Sequence, residues 1–240
     1  PINDGEFVSI IGASGCGKST LLSVLEGINK PAEGEVLIDG EKVNGTGSNR
    51  SVVFQHYSLF PWMTTRKNVA FGIQQVRKEL SQRLQVADEF LDKVGLSEFR
   101  NKYPSQLSGG MQQRAAIARA LAMDTEILLM DEPFSALDAK NRIALQELLL
   151  KLWEGENSEN KKTVVFVTHD IDEAIFLSDK IVVLTSHPGT VYDIVEVPFE
   201  RPRNREELIE RKDYATFRSK LLSMFYHDIA DRIGGNEVVL

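Results

Sequence analysis

The sequence predicts an α/β protein built on a parallel sheet, with a small antiparallel β subdomain beside it and an α-helical subdomain inserted into it. Three observations carry that expectation. Short, strongly apolar runs of strand length occur at residues 7–11, 127–130, 163–167 and 181–184, with helical patterns between them, as parallel strands covered on both faces require. The first run passes through a glycine-rich stretch directly into a helical pattern at Leu21, Leu22 and Leu25, which reads as strand, loop and helix. Between residues 57 and 123 strand signals are absent, and Leu80, Leu84, Ala87, Leu91 and Val94 recur at three- and four-residue spacing, the stripe of a buried helix face.

The remaining elements follow in order. Residues 36–38 end in Asp39-Gly40, a hairpin-type turn, and a Gly/Ser/Asn loop at 44–49 precedes a further run at 52–54; both runs are expected as small antiparallel strands beside the core. The polar stretch 154–162 reads as an exposed loop. Beyond residue 191 come one more strand-like run, a Pro-rich basic turn at 200–205, and a helix carrying Tyr214, Phe217, Leu221 and Phe225 on one side. A tail of this length is too short to build its own core, so the helix is expected to pack on the main one. The expected organisation is a single domain over 1–240: a core from 1–56 and 124–190, a helical subdomain over 57–123, and a C-terminal strand and tail over 191–240.

Composition limits what such a protein can do. With 42% hydrophobic and 26% charged residues, the chain has the balance of a compact globular protein. A net charge of -7 supplies no positive field for nucleic acid, which is therefore not an expected partner. No stretch reaches the roughly 18 apolar residues of a membrane span, so a link to a membrane has to pass through a partner. Cys16 is the one cysteine, which rules out an internal disulfide and argues against a cysteine metal site. The chain opens on Pro1 and enters a strand almost at once, so its N-terminus is expected to be cut short.

Three segments carry chemistry. Gly12-Ala13-Ser14-Gly15-Cys16-Gly17-Lys18-Ser19-Thr20 matches a phosphate-binding loop: glycines let backbone N–H groups close around phosphate oxygens, Lys18 supplies charge, and the Ser19 hydroxyl can bind magnesium. Residues 125–133 form an apolar strand running into Asp131 and Glu132, at the carboxyl end where open α/β sheets place their ligands. Adjacent residues on a strand face opposite ways, so Asp131 can hold magnesium through water while Glu132 polarises an attacking water. Leu107-Ser108-Gly109-Gly110 opens a helix, with Ser108 as its cap and free N–H donors in its first turn. A second phosphate-seeking helix end makes sense if it closes over the nucleotide of another copy. Cys16, at a helix start beside Lys18, is expected to be alkylated readily and shielded by nucleotide.

The phosphate loop, Leu107-Ser108-Gly109-Gly110-Met111-Gln112-Gln113-Arg114 and Met130-Asp131-Glu132-Pro133 appear in the order and spacing of ABC-transporter ATPases, and the resemblance covers almost the whole chain. It implies a P-loop NTPase core, ATP and Mg2+ as ligands, and hydrolysis by two copies arranged head to tail. Each nucleotide is then held by Lys18, Ser19 and Gln55 of one copy and capped by Ser108 and Gly110 of the other. By the same resemblance Gln55 is the glutamine that bridges magnesium and the membrane-facing subdomain. Asp138, in Ser135-Ala136-Leu137-Asp138, belongs to the loop that crosses the dimer interface, and His169 is the switch histidine that contacts the γ-phosphate. A metal role for His169 is not expected, since no cysteine or second histidine lies near it in sequence; His56, His187 and His227 read as surface or packing residues.

Met111 stands where many family members carry glutamine, a variant that resembles importer subunits. The aromatic residue on which the family stacks adenine lies upstream of the first strand, before this chain begins. Residues 54–62, 186–189 and 197–203 resemble the nitrate, sulfonate and taurine branch of importers. The resemblance therefore implies a peripheral subunit on the cytoplasmic face of the membrane, partnered by a transmembrane permease and indirectly by a solute-binding protein. Two rival readings fit the residues less well. A nucleic-acid ATPase of the same superfamily needs a long coiled coil, for which Lys18 and Ser108 are too close in sequence, and a soluble P-loop kinase or GTPase lacks the Ser108-Gly109-Gly110 signature.

Overall fold

The computed structural model describes residues 1–55, 58–75, 79–155, 161–186 and 188–234. His56, His187 and the side chain of His227 fall outside that description. From the N-terminus, β1 (Phe7–Gly12) leads into α1 (Lys18–Glu26), and a hairpin of β2 (Leu37–Ile38) and β3 (Glu41–Lys42) precedes β4 (Arg50–Val53). The helices α2 (Thr65–Gly72), α3 (Leu80–Lys93) and α4 (Gly109–Ala122) come next. Then β5 (Ile127–Asp131), α5 (Ala139–Glu154), β6 (Thr163–Thr168), α6 (Ile171–Leu177) and β7 (Lys180–Leu184) alternate, followed by β8 (Val191–Glu196), α7 (Arg205–Glu210) and α8 (Lys212–Gly234).

The main sheet has the order β4-β5-β6-β1-β7-β8, parallel throughout except for β8, which runs antiparallel to β7. Its strands divide their side chains between two faces with period two. Phe7, Ile11, Leu128, Met130, Val164 and Phe166 face a core completed by α5, α6 and the tail. Ile10, Leu129, Val165 and Val167 face the other way, against Leu22 of α1 and Cys16. Both faces are buried, which is why these strands read as unbroken apolar runs.

One expected element is corrected. The run at 52–54 is not part of an antiparallel unit: β4 is the edge strand of the main sheet, pairing parallel with β5 in the register Arg50↔Ile127 to Val53↔Met130. The antiparallel sheet among the described residues is the β2–β3 hairpin alone. Its Asp39 and Gly40 take φ values of 52° and 79°, the left-handed pair that tight hairpin turns favour.

The inserted helices bury a cluster of their own, with Val69, Ile73, Leu91, Leu96 and Ala118 at its centre. The stripe on α3 holds for Ala87, Leu91 and Val94, while Leu80 at its start is exposed. Asn68, fully buried on α2, ties the preceding segment down. Its side-chain oxygen accepts from the Phe60 N–H at 2.7 Å, and its nitrogen lies 3.1 Å from the carbonyls of Phe60, Met63 and Thr64. The tail packs as expected: Leu208, Tyr214 and Leu221 are buried in the main core, with Phe217 and Phe225 against it. No helix among the described residues is long and apolar enough to cross a membrane.

A buried carboxyl also lies in this core. Glu173 of α6 is 4% exposed and accepts from Gln146 Nε2 at 2.6 Å. Burial is the main reason its pKa rises to about 7, helped by the nearby Asp170 charge and opposed by Thr168, Gln146 and Arg142.

Two stability outcomes follow. Asn68→Ala leaves buried main-chain groups unpaired and should lower unfolding free energy by about 1–3 kcal/mol, read as the midpoint of urea unfolding; an unchanged midpoint contradicts the tie. Because the folded Glu173 carboxyl holds its proton more tightly than the unfolded one, its stabilising contribution is complete below about pH 4.5 and is lost as pH rises through 7, a span on the order of 3 kcal/mol. Glu173→Gln should therefore gain stability relative to wild type between about pH 5 and 8, and parallel melting curves across that range would contradict it.

Candidate nucleotide site

The parallel register brings the carboxyl ends of β1, β5 and β6 level, with Ile11 opposite Thr168 and Asp131 opposite Val167. The loop from Gly12 to Gly17 leaves β1 at this edge and turns into α1. Gly15 and Gly17 take φ values of 81° and 99°, where a side chain would strain the backbone. Gly12 is needed for space: a Cβ there would lie 2.7 Å from Cys16 Sγ and 2.9 Å from the Leu184 carbonyl. Lys18, 5% exposed, donates from Nζ to the carbonyls of Gly12 at 2.8 Å and Ala13 at 3.2 Å. Gly15, Ser19 and Thr20 are not buried, and the N–H groups of the first turn of α1 have no acceptor within the helix.

The structure corrects the reading of Cys16 as a reactive thiol. Its side chain is 6% exposed and packs with Ile10, Leu22, Val167 and Leu184 under the loop. The residue lends its main chain to the loop and turns its sulfur inward. The segment after β7 closes against the same place: a Cβ on Gly189 would lie 2.2 Å from the Cys16 carbonyl oxygen.

Across from the loop, the Ser19 hydroxyl donates to Asp131 Oδ1 at 3.2 Å. Burial lifts the Asp131 carboxyl above its ordinary pKa, opposed by the Ser19 hydrogen bond and Lys18 and reinforced by Glu132. β5 ends at Asp131, so the two acids are separated by a turn rather than by strand alternation alone. Glu132 takes a φ of 42°, an unusual conformation for a residue with a side chain and one that clusters at functional sites. Its Oε2 lies 3.1 Å from His169 Nδ1, and its main chain is held by the Val167 carbonyl at 2.9 Å and by the Ser135 hydroxyl at 3.0 Å. Gln55, just past β4, donates to Ser135 Oγ at 3.3 Å.

Ser19, Asp131 and Gln55 together offer hydroxyl, carboxylate and amide oxygens, the hard donors that magnesium takes. Among the described residues no group of three or more His, Cys, Asp or Glu could hold a metal by itself. The donor set therefore fits an ion that completes its shell with water and phosphate oxygens.

Ser108, Gly110 and Asp138 gather elsewhere. Ser108 caps α4, its Oγ accepting from the Met111 N–H at 3.3 Å. Asp138 caps α5, accepting from the Asn141 N–H at 3.0 Å and from its amide at 2.6 Å, contacts that hold its carboxyl below the usual range. A Cβ on Gly110 would meet Asn141 Cγ at 3.4 Å, so the two helix starts adjoin. No hydrogen bond or ion pair among the described residues joins Ser108 or Gly110 to the phosphate loop. Motif order does not reveal Thr168, Gln146 and Glu173 behind His169, although Asp170 and Glu173 have the spacing of a capping box at a helix start, and Asp170 does cap α6.

A family model described as ABC transporter matches residues 1–135. An uncharacterized ABC transporter ATP-binding protein of Methanocaldococcus jannaschii, MJ0412, is 49% identical over 228 residues, covering 95% of this chain and 82% of that protein. The nitrate import ATP-binding protein NrtD of Synechococcus elongatus is 47% identical over 232 residues, covering 95% of this chain and 83% of its own. Among solved structures, the dimeric post-hydrolysis state of the ATP-binding cassette MJ0796 bound to ADP and Pi matches with a TM-score of 0.72 at 39% identity, over 83% of this chain and 89% of that one. With a phosphate loop, two acids and a histidine level at one sheet edge and these relatives along nearly its full length, the chain belongs to the ABC transporter family, as an ATP-binding domain that hydrolyses ATP.

Proposed function

We propose that this ATPase drives an importer of a small anion, of the nitrate, sulfonate or taurine class, from the cytoplasmic face of the membrane. It works as a head-to-tail pair docked on a transmembrane permease that a solute-binding protein feeds. The identity to NrtD and the resemblance of residues 54–62, 186–189 and 197–203 to that branch support the substrate class. The exposed Phe54 and Trp62, with Phe60 packed between Trp62 and Phe71 at centroid distances of 5.5 and 4.7 Å, support a permease contact beside Gln55. In this reading 1–56 and 124–190 form the nucleotide core, 57–123 the membrane-facing subdomain and 191–240 the tail.

The observation that carries the reading is the separation of two half-sites. Lys18, Ser19, Asp131, Glu132 and His169 converge on the phosphate loop, whereas Ser108 and Gly110 sit beside Asp138 on another part of the chain. Lys18 and the first-turn N–H groups bind the β- and γ-phosphates, exchanging the Gly12 and Ala13 carbonyls for phosphate oxygens. Ser19, Asp131 and Gln55 would hold Mg2+, which supplies neutralisation of phosphate charge when bound. Glu132 takes the proton of the attacking water, and His169, oriented by the Glu132 carboxylate, meets the γ-phosphate. Ser108 and Gly110 of the second copy close over the same phosphates, and Asp138 lies at that junction. Loss of the γ-phosphate removes the shared contact and lets the pair open.

Glu132→Gln should bind ATP with little change, lose about 10² to 10⁴ of its turnover and accumulate as an ATP-bound dimer in light scattering; undiminished turnover would remove the general-base role. Mixing Lys18→Ala with Ser108→Ala chains should recover activity that neither homodimer has, because one composite site in the heterodimer is intact. Confirmed heterodimers with no recovery would argue for sites completed within one chain.

A further inference from the structure

The His169 side chain is 56% exposed and its one described contact is Glu132. Packing does not hold the ring, so its position depends on the turn that carries it. That turn is built from its neighbours. The Thr168 hydroxyl accepts from the Asp170 N–H at 3.0 Å and donates to the Glu173 carboxylate. Asp170 accepts from the Glu173 N–H at 3.1 Å and faces Arg142 at 3.7 Å.

The turn continues directly into α6, and α6 has seven residues, too short to be stable on its own. Its position is set by what grips it, and the tail grips it at both ends and in the middle. At the carboxyl end, Arg203, 9% exposed, donates to the carbonyls of Ile175 at 2.9 Å, Phe176 at 3.1 Å and Ser178 at 2.7 Å. In the first turn, Asp172 accepts from Tyr214 at 2.7 Å and, bidentately, from Arg218 at 2.6 and 2.9 Å. From the side, Arg205 lies 4.0 Å over the Phe176 ring and donates to Gln146, which in turn donates to Glu173 at 2.6 Å. A connected polar path thus runs from Arg205 through Gln146 and Glu173 to Thr168, the residue before His169. A buried guanidinium is costly unless its donors are satisfied; Arg203 directs Nη1 to the end of α6 and gives Nε and Nη2 to the Phe199 carbonyl, so it ties α6 to the start of the tail.

We propose that the tail between Phe199 and Arg218 is a brace that positions His169 against Glu132 through α6, with Arg205, Tyr214 and Arg218 as positioning residues, so that loosening the tail slows ATP hydrolysis without weakening ATP binding. The proposal rests on the role given to His169 above. It assigns the tail a part in the timing of hydrolysis, and it makes the exposed Arg218–Asp172 pair the point at which another surface could reach the catalytic edge.

The test uses the full chain carrying Arg205→Met, which keeps bulk over Phe176 but removes the donor, and Tyr214→Phe/Arg218→Leu. Each should lower kcat about tenfold with KM for ATP within about twofold, since misplacement of a reacting group slows chemistry more than it alters ground-state binding. Arg205→Lys, which keeps a donor for Gln146, should recover most of the loss. Independently of turnover, the Cε1–H proton resonance of His169, identified by its disappearance in His169→Ala, should shift in both brace variants. An unmoved resonance, or wild-type kcat in both variants while His169→Ala is slow, overturns the brace. A shifted resonance together with full turnover in His169→Ala keeps the brace and removes the catalytic role of His169 instead, so the two failures are told apart.

Discussion

Parallel pairing of β1 with β6 and of β6 with β5 is the constraint on which the catalytic edge depends. In a parallel sheet the carboxyl ends of neighbouring strands emerge on the same side, and here the register sets Gly12 and Asp131 each within a step of Thr168. Each residue at that edge then inherits its position from a strand buried on both faces. A phosphate loop, two acids and a histidine that lie far apart in sequence need no long-range tether beyond this register. Such pairing is slow to form because its contacts are non-local, but once packed it is rigid, and rigidity is what electrostatic stabilisation of a phosphoryl group requires.

The core is legible in the sequence because its physics is local. Buried parallel strands read as apolar runs, and a glycine loop set between a strand and a helix is the form an anion cradle takes. The Leu80-to-Val94 stripe marks the inserted helices, and its first residue departs because it stands at the exposed helix start. β4 escapes correct assignment because a short strand after a Gly/Ser/Asn loop looks the same whether it pairs with the hairpin before it or with β5, far along the chain. Pairing partner is a non-local property, and no periodicity within residues 50–54 encodes it.

The site is legible in its residue types and less so in its geometry. Lys18, Asp131, Glu132 and His169 can be named from motif order, but strand alternation does not anticipate the left-handed turn at Glu132. Cys16 misleads for a related reason. Its neighbours in sequence suggest an electropositive, accessible sulfur, whereas the tight loop directs that side chain inward beneath Gly12. The support behind His169 is hidden more deeply, since Gln146, Glu173 and Arg205 come from three helices and acquire a common purpose only when those helices pack.

The contact between Gly189 and the Cys16 carbonyl has a consequence for how the molecule can evolve. The strand connection after β7 presses against the back of the phosphate loop with no room for even a methyl group. Insertions or side chains introduced at that bend would be transmitted to the anion cradle as displacement, not absorbed as surface variation. The connection between β7 and β8 and the nucleotide loop are thereby obliged to change in concert, and a peripheral stretch of chain carries the sequence restraint of an interior one.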